Sequence, residues 1–260
     1  MTAPRGGVPV PPGVLHPVGL WVFDYVIPAA TVVILAVAVR ACRRQRQLTW
    51  LFLFVVCSMS TFWMETIGDW GQHLRYSPRF LSYSWDWLPW HTPTDPYFMP
   101  FAYGVYWTLH AAAVLALGSW LARRRGWTLL KAVLVLSIPV NFLFDLSLES
   151  TAAYLGWWTY DPGFGPVWHF ARGSQPLLWP VSLMVGWPNL IAYVAGKPGA
   201  AGPNVIERTF GLDPAERGAR HELKRFGAWL LTFQVTFFVM LVVPLVVLRL
   251  ATGHDSPYVP

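Results

Sequence analysis

The sequence predicts an all-α membrane protein, a polytopic bundle of about six transmembrane helices in one integral membrane domain over residues 1–260. Composition is the first observation: 55% of the residues are hydrophobic and 12% are charged, which is about half the charged share of a soluble domain. The second is that apolar runs of about 20 residues recur, each long enough to cross ~30 Å of hydrocarbon. The third is that basic residues gather in alternate connections between these runs.

The apolar runs set the order of the helices. We expect helices at residues 18–40, 48–70, 99–122, 128–150, 176–196 and 227–250. Prolines inside these runs each free a backbone carbonyl and permit a kink, a feature that is frequent around cavities in membrane helices. They are Pro139, Pro180, Pro188 and Pro244.

The basic residues predict the orientation. Fourteen lysines and arginines fall in the first, third and fifth connections, against three in the second and fourth. The positive-inside rule places the basic connections in the cytoplasm and both termini outside. The chain is therefore expected to be a multi-pass protein of the cell membrane, and its net charge of +6 is no sign of nucleic-acid binding.

Two long connections differ in character. Residues 71–98 are rich in tryptophan, tyrosine and proline, which predicts an outer cap lying on the bundle; a simple aromatic belt at the membrane interface is the alternative. Residues 197–226 form a polar cytoplasmic loop. We expect a helix from Asp213 onward, because the run DPAE resembles an N-cap followed by proline in the first turn.

Two of the predicted helices each carry a pair of acids four residues apart, Glu65 with Asp69 and Asp145 with Glu149. This spacing places both carboxyl groups of a pair on one helical face. A rise of 1.5 Å per residue puts Glu65 and Asp145 ~9 Å outside the bilayer midplane, and Asp69 and Glu149 ~15 Å. Acids in a bilayer are costly and face the protein interior, so the pattern predicts a functional cavity.

Asp24 and His73 extend this acidic set. Asp24 on the first helix falls at ~7–8 Å and joins the deeper layer, and His73 continues the stripe that begins with Glu65 and Asp69. The predicted catalytic residues are therefore these two together with the four paired acids. Glu65 and Asp145 rank first because they lie deeper, and a solvated helix end is the alternative for Asp69 and Glu149.

Aromatic and polar side chains at similar depth predict the walls of the cavity. Aromatic rings would exclude water and stabilise cationic intermediates, although packing or interface anchoring is the alternative for each tryptophan taken singly. The predicted substrate-binding residues are Trp63, Trp70, Trp107, His110, Asn141, Trp157, Trp158 and Tyr160.

Buried, closely spaced carboxyl groups favour acid/base chemistry. Such a pair holds one protonated and one ionised acid, which is the arrangement for paired proton donation and abstraction without a cofactor. A carboxylate-rich metal site is the alternative, but neither pair has the histidine three residues on that a di-iron bundle uses. A magnesium–diphosphate site of the prenyltransferase kind is disfavoured, since the basic residues lie at the opposite side.

Two segments resemble a known family. WMETIGDWGQHLRYSP and FDLSLESTAAYLGWWTYDP, the latter followed by a proline- and tryptophan-rich turn, are similar to the AveC-like spirocyclase family of small actinobacterial membrane proteins. The resemblance covers about residues 18–250 and implies closure of a spiroketal ring and dehydration in polyketide maturation. It brings no established catalytic residues to this chain.

The stretch from Asp145 through Glu149 to Tyr160 is also similar to the Asp…Gly-x-Trp-aromatic segment of small membrane carotenoid cyclases. The downstream Glu-Glu pair of those cyclases is absent here, which argues against lycopene-type chemistry. Membrane meroterpenoid cyclases, which use one or two buried carboxylic acids in a small helical bundle, are a neighbouring comparison.

These observations predict a cyclase-dehydratase, of the lyase or isomerase class, acting on a polyketide- or terpenoid-like substrate that enters from membrane lipid. No metal or other cofactor is expected. The alternative is a proton- or cation-coupled transporter or binding protein that uses the same acids, although no internal repeat relates residues 1–125 to 126–260. A structural partner subunit is a third possibility.

Overall fold

The computed structural model describes residues 17–84, 87–88, 90–161, 164–196, 202–213, 216–256 and 259. Helices make up most of this part of the chain. In order they are α1 (Pro17–Gln45), α2 (Trp50–Gly71), α3 (Met99–Arg125), α4 (Leu129–Leu155), α5 (Trp179–Ala195), α6 (Val205–Thr209) and α7 (Ala219–Thr252).

Five of these helices, α1, α2, α3, α4 and α7, are long and apolar enough to cross a membrane. The prediction of a mostly helical bundle is confirmed, and these five helices are candidates for membrane-spanning segments. The predicted sixth span corresponds to α5, which has 17 residues and is ~26 Å long, somewhat less than the ~30 Å of a bilayer core.

The bundle is built around α3, which packs against α1, α2, α4 and α5. Large side chains such as Phe54, Trp187 and Phe233 fill the interior without exposure to solvent. The outer faces are also apolar: Val33 on α1 and Leu143 on α4 are 62% and 63% exposed. An extended apolar surface of this kind marks a membrane or protein contact.

Helix α2 is broken in the middle. Its first part, Trp50–Met59, is followed by a 3₁₀ turn at Phe62–Met64 and a second α-helical part, Glu65–Gly71. Hydroxyl groups that bond back to the preceding turn bend a helix, and Ser60 Oγ donates to the Cys57 carbonyl at 2.6 Å. The Ser60 carbonyl accepts a hydrogen bond of 2.9 Å from Gln234 Nε2 on α7. The break changes the direction of the helical segment that carries Glu65.

Short strands, which the all-α prediction did not include, close one end of the bundle. They are β1 (Leu74–Tyr76), β2 (Ser82–Tyr83), β3 (Asp95–Pro96), β4 (Trp158–Tyr160), β5 (Val167–Phe170) and β6 (Gly173–Pro176). The antiparallel pairs are β1 with β4, β2 with β3, and β5 with β6. Pairing of β1 with β4 joins the chain after α2 to the chain after α4, with Leu74 opposite Tyr160 and Tyr76 opposite Trp158.

The expected helix from Asp213 is wrong, because α7 begins at Ala219. Gly218 immediately before it has a φ of 117°, a conformation outside the helical region that glycine adopts readily. Of the expected DPAE cap, Pro214 and Ala215 lie outside the described residues.

The opposite end of the bundle is held by an ion-pair network around Arg225 on α7. Its Nε donates to Glu207 Oε1 at 2.6 Å and its Nη1 to the Leu48 carbonyl at 2.7 Å. Glu207 belongs to α6, whose first turn is a capping box with Asn204. The described part of the predicted polar loop is therefore an ordered element that ties α7 to the connection between α1 and α2.

Candidate functional site

A cavity of about 710 Å³ lies between α1, α2, α3 and α4, below the strand pair β1–β4. This volume is within the ~300–1,000 Å³ range of small-molecule sites. Most of its lining is apolar or aromatic, with Phe23 of α1 and Tyr103 of α3 on its walls. It runs along α4 from Leu136 to Glu149, a length of ~20 Å.

The cavity opens sideways between α3 and α4. Its lining includes side chains that are also about half exposed on the outer surface of the bundle, at 58% for Leu109 and 53% for Phe144. Leu117 and Val140, each 48% exposed, continue this rim. An apolar molecule can therefore reach the cavity from the flank of the bundle.

Carboxyl and hydroxyl groups meet at one end of the cavity, here called the acidic end and formed by Glu65, Tyr76, Glu149, Trp158 and Tyr160. Glu149 Oε2 accepts hydrogen bonds from Tyr160 Oη at 2.6 Å and from Trp158 Nε1 at 2.7 Å. Tyr76 Oη lies 3.5 Å from Glu65 Oε1. The β1–β4 pairing thus delivers three aromatic donors to two acids that come from different helices.

Asp145 lies behind the wall of the cavity. It is 1% exposed, and the hydroxyl of Tyr106, a lining residue, donates to its Oδ1. Its other oxygen has no hydrogen-bond partner in the described part of the chain. Tyr106 therefore separates Asp145 from the cavity, whereas Glu149, which the depth argument ranked below Asp145, lines the cavity.

Two further acids lie behind Glu65. Asp69 is fully buried and accepts a 2.8 Å hydrogen bond from Gln72 Nε2, and Asp95 on β3 is 1% exposed. Both interact electrostatically with Glu65. The solvated helix end considered for Asp69 and Glu149 is wrong, since they are 0% and 7% exposed.

Asp95 was missed by sequence reasoning. It lies in the connection between α2 and α3, where no helical spacing relates it to another acid. The β2–β3 pair folds this connection back over α2 and brings Asp95 beside Thr66 and Asp69. The one local sequence signal for Asp95 is that it precedes a proline in an aromatic-rich segment.

The carboxyl groups at the acidic end have no positively charged side chain beside them among the described lining residues. Burial raises the pKa of Tyr76 well above its usual range, and the neighbouring Asp69 and Glu65 add to the shift. Burial likewise raises the pKa of Tyr160, with Glu149 adding to it. The pKa of Asp95 is raised to about 7, chiefly by burial, against a hydrogen bond with Thr66 that lowers it. No lysine or arginine is among the described lining residues.

Asp95 predicts a pH dependence of stability. Its folded pKa of about 7 lies above the ordinary value of 3.8, so the folded state binds the proton more tightly and the contribution of Asp95 to stability is lost as pH rises from about 4 to about 7. Asp95→Asn cannot ionise. The stability of the variant relative to wild type is therefore expected to increase by roughly 2–4 kcal/mol across this window.

The measurement is thermal unfolding of both proteins in detergent at a series of pH values. Asp255→Asn, a change of the same kind at an exposed position, is the control for the loss of a carboxyl group at the surface. A difference between Asp95→Asn and wild type that is constant or shrinks with rising pH would show that folding does not raise the pKa of Asp95, and it would contradict this prediction.

Two predicted catalytic residues lie elsewhere. Asp24 is partly exposed and accepts a 3.4 Å hydrogen bond from the Leu81 backbone N–H; it does not line the cavity. His73 is not on the stripe of Glu65 and Asp69, because α2 ends at Gly71 and His73 has a left-handed φ of 54°.

The ring of His73 packs against that of His254, with centroids 5.0 Å apart. Burial, followed by the charges of Arg249 and His254, lowers the pKa of His73 to about 3. It is therefore a neutral residue of the C-terminal contact region and not a member of the acidic end.

Two predicted wall residues are also misplaced. Trp63 is 39% exposed and its Nε1 donates to Gln234 Oε1 at 2.9 Å. Trp70 stacks on Trp90, and the guanidinium of Arg249 lies 3.9 Å from the centre of its ring. Neither tryptophan is among the residues that line the cavity.

The remaining predicted substrate-binding residues do line the cavity: Trp107, His110, Asn141, Trp157, Trp158 and Tyr160. His110 on α3 and Asn141 on α4 are polar residues of the cavity lining and are here called the polar pair. Asn141 Nδ2 donates to Asn189 Oδ1 on α5 at 2.9 Å. His110 Nε2 has no partner among the described residues.

The described residues contain no group of three or more histidine, cysteine, aspartate or glutamate side chains arranged to hold a metal ion. The acids of the site instead pair with neutral donors from tyrosine, tryptophan and glutamine side chains. No protein-family model, curated protein or solved structure matches the chain.

Proposed function

We propose that the chain is a multi-pass membrane protein whose acidic end faces outward, with both termini outside. Arginines occupy the last turns of α1 and α3, whereas Glu65 and Glu149 lie near the far ends of α2 and α4. The positive-inside rule supports a cytoplasmic location for the arginine-rich end. The exposed apolar side chains on the flanks of the bundle support contact with lipid.

Within this membrane protein, the cavity is proposed to carry out cofactor-independent cyclisation or dehydration of an oily substrate. The observation that carries the proposal is that two carboxyl groups from different helices, Glu65 and Glu149, face one apolar cavity that opens sideways between α3 and α4. Two acids with different hydrogen-bond partners can serve as a general acid and a general base. The side opening suits a substrate that arrives from lipid.

Glu65 is assigned the acid and Glu149 the base. Accepted hydrogen bonds stabilise a carboxylate relative to a carboxylic acid, and Glu149 accepts two short ones from Tyr160 and Trp158. Among the described residues, the Glu65 side chain has one hydrogen-bond contact, a long one of 3.5 Å with Tyr76 Oη. Close acids without a basic partner cannot all be ionised, which favours retention of a proton on Glu65.

The proposed reaction balances its protons within the site. Glu65 donates a proton to a ketone, a hemiketal hydroxyl or an alkene, and a hydroxyl of the same molecule attacks the carbon that becomes electron-poor. Glu149 accepts the proton that the attacking hydroxyl or an adjacent carbon loses. Ring closure gives an isomer of the substrate, and departure of the protonated hydroxyl gives a dehydrated product and water.

Surrounding groups support these steps. The ring faces of Phe23, Trp157 and Trp158, which pack edge to face around the acidic end, can stabilise a cationic carbon. Asp69 and Asp95 lie behind Glu65 and are the groups that can return its proton between turnovers. The resemblance to the AveC-like spirocyclase family agrees with this reaction type and stays a prediction.

The test uses apolar metabolites from cells that lack this protein. These are incubated with the purified protein in lipid nanodiscs, and products are identified by mass spectrometry. We expect at least one compound to be consumed and replaced by a product of the same mass or of that mass minus one water. Products that gain oxygen, or an extract left unchanged, would contradict the proposal.

A further inference from the structure

The cavity has a second polar point, and its chemistry defines a substrate class. The polar pair, His110 of α3 and Asn141 of α4, lines the cavity together with the acidic end. Asn141 and Glu149 are eight residues apart on α4, a separation of ~12 Å. Between them the same helix contributes the apolar Phe144 and Leu148 to the lining.

The hydrogen bond to Asn189 fixes the orientation of the Asn141 amide. Asn189 Nδ2 donates to the Val185 carbonyl at 2.7 Å, which leaves Asn189 Oδ1 as an acceptor. Asn141 must therefore present its Nδ2 to Asn189, at 2.9 Å. This leaves Asn141 Oδ1 as an acceptor on the side of the cavity. Asn141 and Asn189 are 5% and 2% exposed, so this chain of amides is rigid and dry.

His110 supplies a complementary group. Its Nε2 is buried and lacks a hydrogen-bond partner among the described residues, as does Nε1 of the adjacent Trp107. A buried polar atom without a partner is unfavourable by ~1–3 kcal/mol. For a ligand hydroxyl in this part of the cavity, Asn141 Oδ1 is an available acceptor and a ring N–H is an available donor. A methylene group at this position would leave these polar atoms without hydrogen-bond partners.

The charge of the site restricts the ligand further. No lysine or arginine is among the described lining residues, and the acids at and behind the acidic end disfavour a carboxylate or phosphate. The acids already accept hydrogen bonds from neutral donors, so a cationic head is not required. An uncharged ligand fits both ends of the cavity.

We infer that the substrate is an uncharged lipid-like molecule with two oxygen functions ~12 Å apart, one at the acidic end and a hydroxyl held by His110 and Asn141. This inference rests on the proposed function for the meaning of the acidic end. In this arrangement the polar pair is a positioning device, because it fixes where along the cavity the reacting oxygen stops.

The test is equilibrium binding with simple probes. Nonane-1,9-diol separates two hydroxyls by about this distance, and 1-nonanol, nonanoate and nonylamine are matched single-headed chains. Calorimetric titration into the purified protein, with empty detergent micelles as reference, is expected to show tighter binding of the diol than of nonanoate or nonylamine. Asn141→Leu should weaken diol binding about tenfold and leave 1-nonanol within about twofold.

His110→Phe is a second, independent variant with the same expected result, and it decides the matter if Asn141→Leu does not elute as a single folded species. A diol affinity that is unchanged in both variants would overturn the inference, as would preferred binding of nonylamine or nonanoate. These measurements need no turnover. Conversion by wild type with no diol preference would therefore overturn this inference alone, whereas a diol preference without any conversion would overturn the proposed reaction alone.

Discussion

Glu149→Gln is expected to lower the rate of cyclisation or dehydration by about 100- to 10,000-fold, the usual contribution of a general acid or base. The substitution is nearly isosteric, and the Gln oxygen can still accept from Tyr160 and Trp158, which hold Glu149 at 2.6 and 2.7 Å. The amide can neither take up nor release a proton at neutral pH. Loss of activity in a protein with unchanged thermal stability therefore reports the chemistry of the carboxyl group.

The experiment compares rates in the nanodisc assay for wild type, Glu149→Gln and Glu65→Gln. Glu216→Gln is the matched control, because Glu216 is exposed and lies near the start of α7 where it contacts His221. It should retain wild-type activity. Asp145→Asn should lose less activity than Glu149→Gln, since Tyr106 separates Asp145 from the cavity. Full activity in both glutamate variants would refute the acid/base assignment.

The ranking of these acids illustrates what the sequence could and could not predict. A spacing of four residues is sufficient to place Asp145 and Glu149 on one helical face, and the structure buries both. Depth counted along a straight helix gives only the distance of each acid from the membrane centre. Which of them faces the cavity depends on Tyr106, Trp158 and Tyr160, and those contacts arise from packing between segments far apart in the chain.

The true course of α2 accounts for the misplacement of His73. A helical spacing carried past Asp69 predicts that His73 lies on the same stripe as Glu65 and Asp69. The helix ends at Gly71, so His73 is not on that stripe, and the 3₁₀ turn at Phe62–Met64 interrupts α2 before Glu65. Hydroxyl groups at Ser58, Ser60 and Thr61 were the sequence signal for a bend, but such residues also occur in straight membrane helices.

The fold itself followed more directly from the sequence, because apolar runs that are long enough to span a bilayer have few alternatives to helix. Five of the six expected runs are long apolar helices. The strand pair β1–β4 was not foreseen, since its two strands lie in separate connections and their three-residue length carries no clear alternation. The contribution of Asp95 depends on the same kind of long-range pairing, here between β2 and β3.

The second large effect is expected at Gly71, where α2 meets α7. A Cβ atom at this position would lie 2.8 Å from the Leu245 carbonyl carbon and 2.9 Å from the Val246 nitrogen. These are backbone atoms of a helix, so relief requires the two helices to move apart. Overpacking in an interior costs ~1–3 kcal/mol, and we expect Gly71→Ala to be destabilising by about 3 kcal/mol, near the upper end of this range.

Gly68→Ala is the matched control, one turn earlier on the same helix. Its added Cβ would meet side-chain atoms of Leu245 and Val242 at 3.8 and 4.0 Å, which is ordinary contact. Replacing glycine by alanine within a helix is otherwise favourable by ~0.5–1 kcal/mol, so this variant should be as stable as wild type or more so. Thermal unfolding in detergent, followed by circular dichroism, measures both.

The contrast between the two glycines also bears on the site. The turn that Gly71 ends contains Asp69, and the Trp70 carbonyl beside it accepts a 2.5 Å hydrogen bond from Arg249 Nη1 on α7. Separation of the helices at Gly71 would displace the support behind Glu65, so Gly71→Ala is expected to lose activity as well as stability, whereas Gly68→Ala keeps both. Equal stability of the two alanine variants would mean that α2 and α7 are not in close backbone contact at Gly71, and the position assigned here to Asp69 would have to be revised.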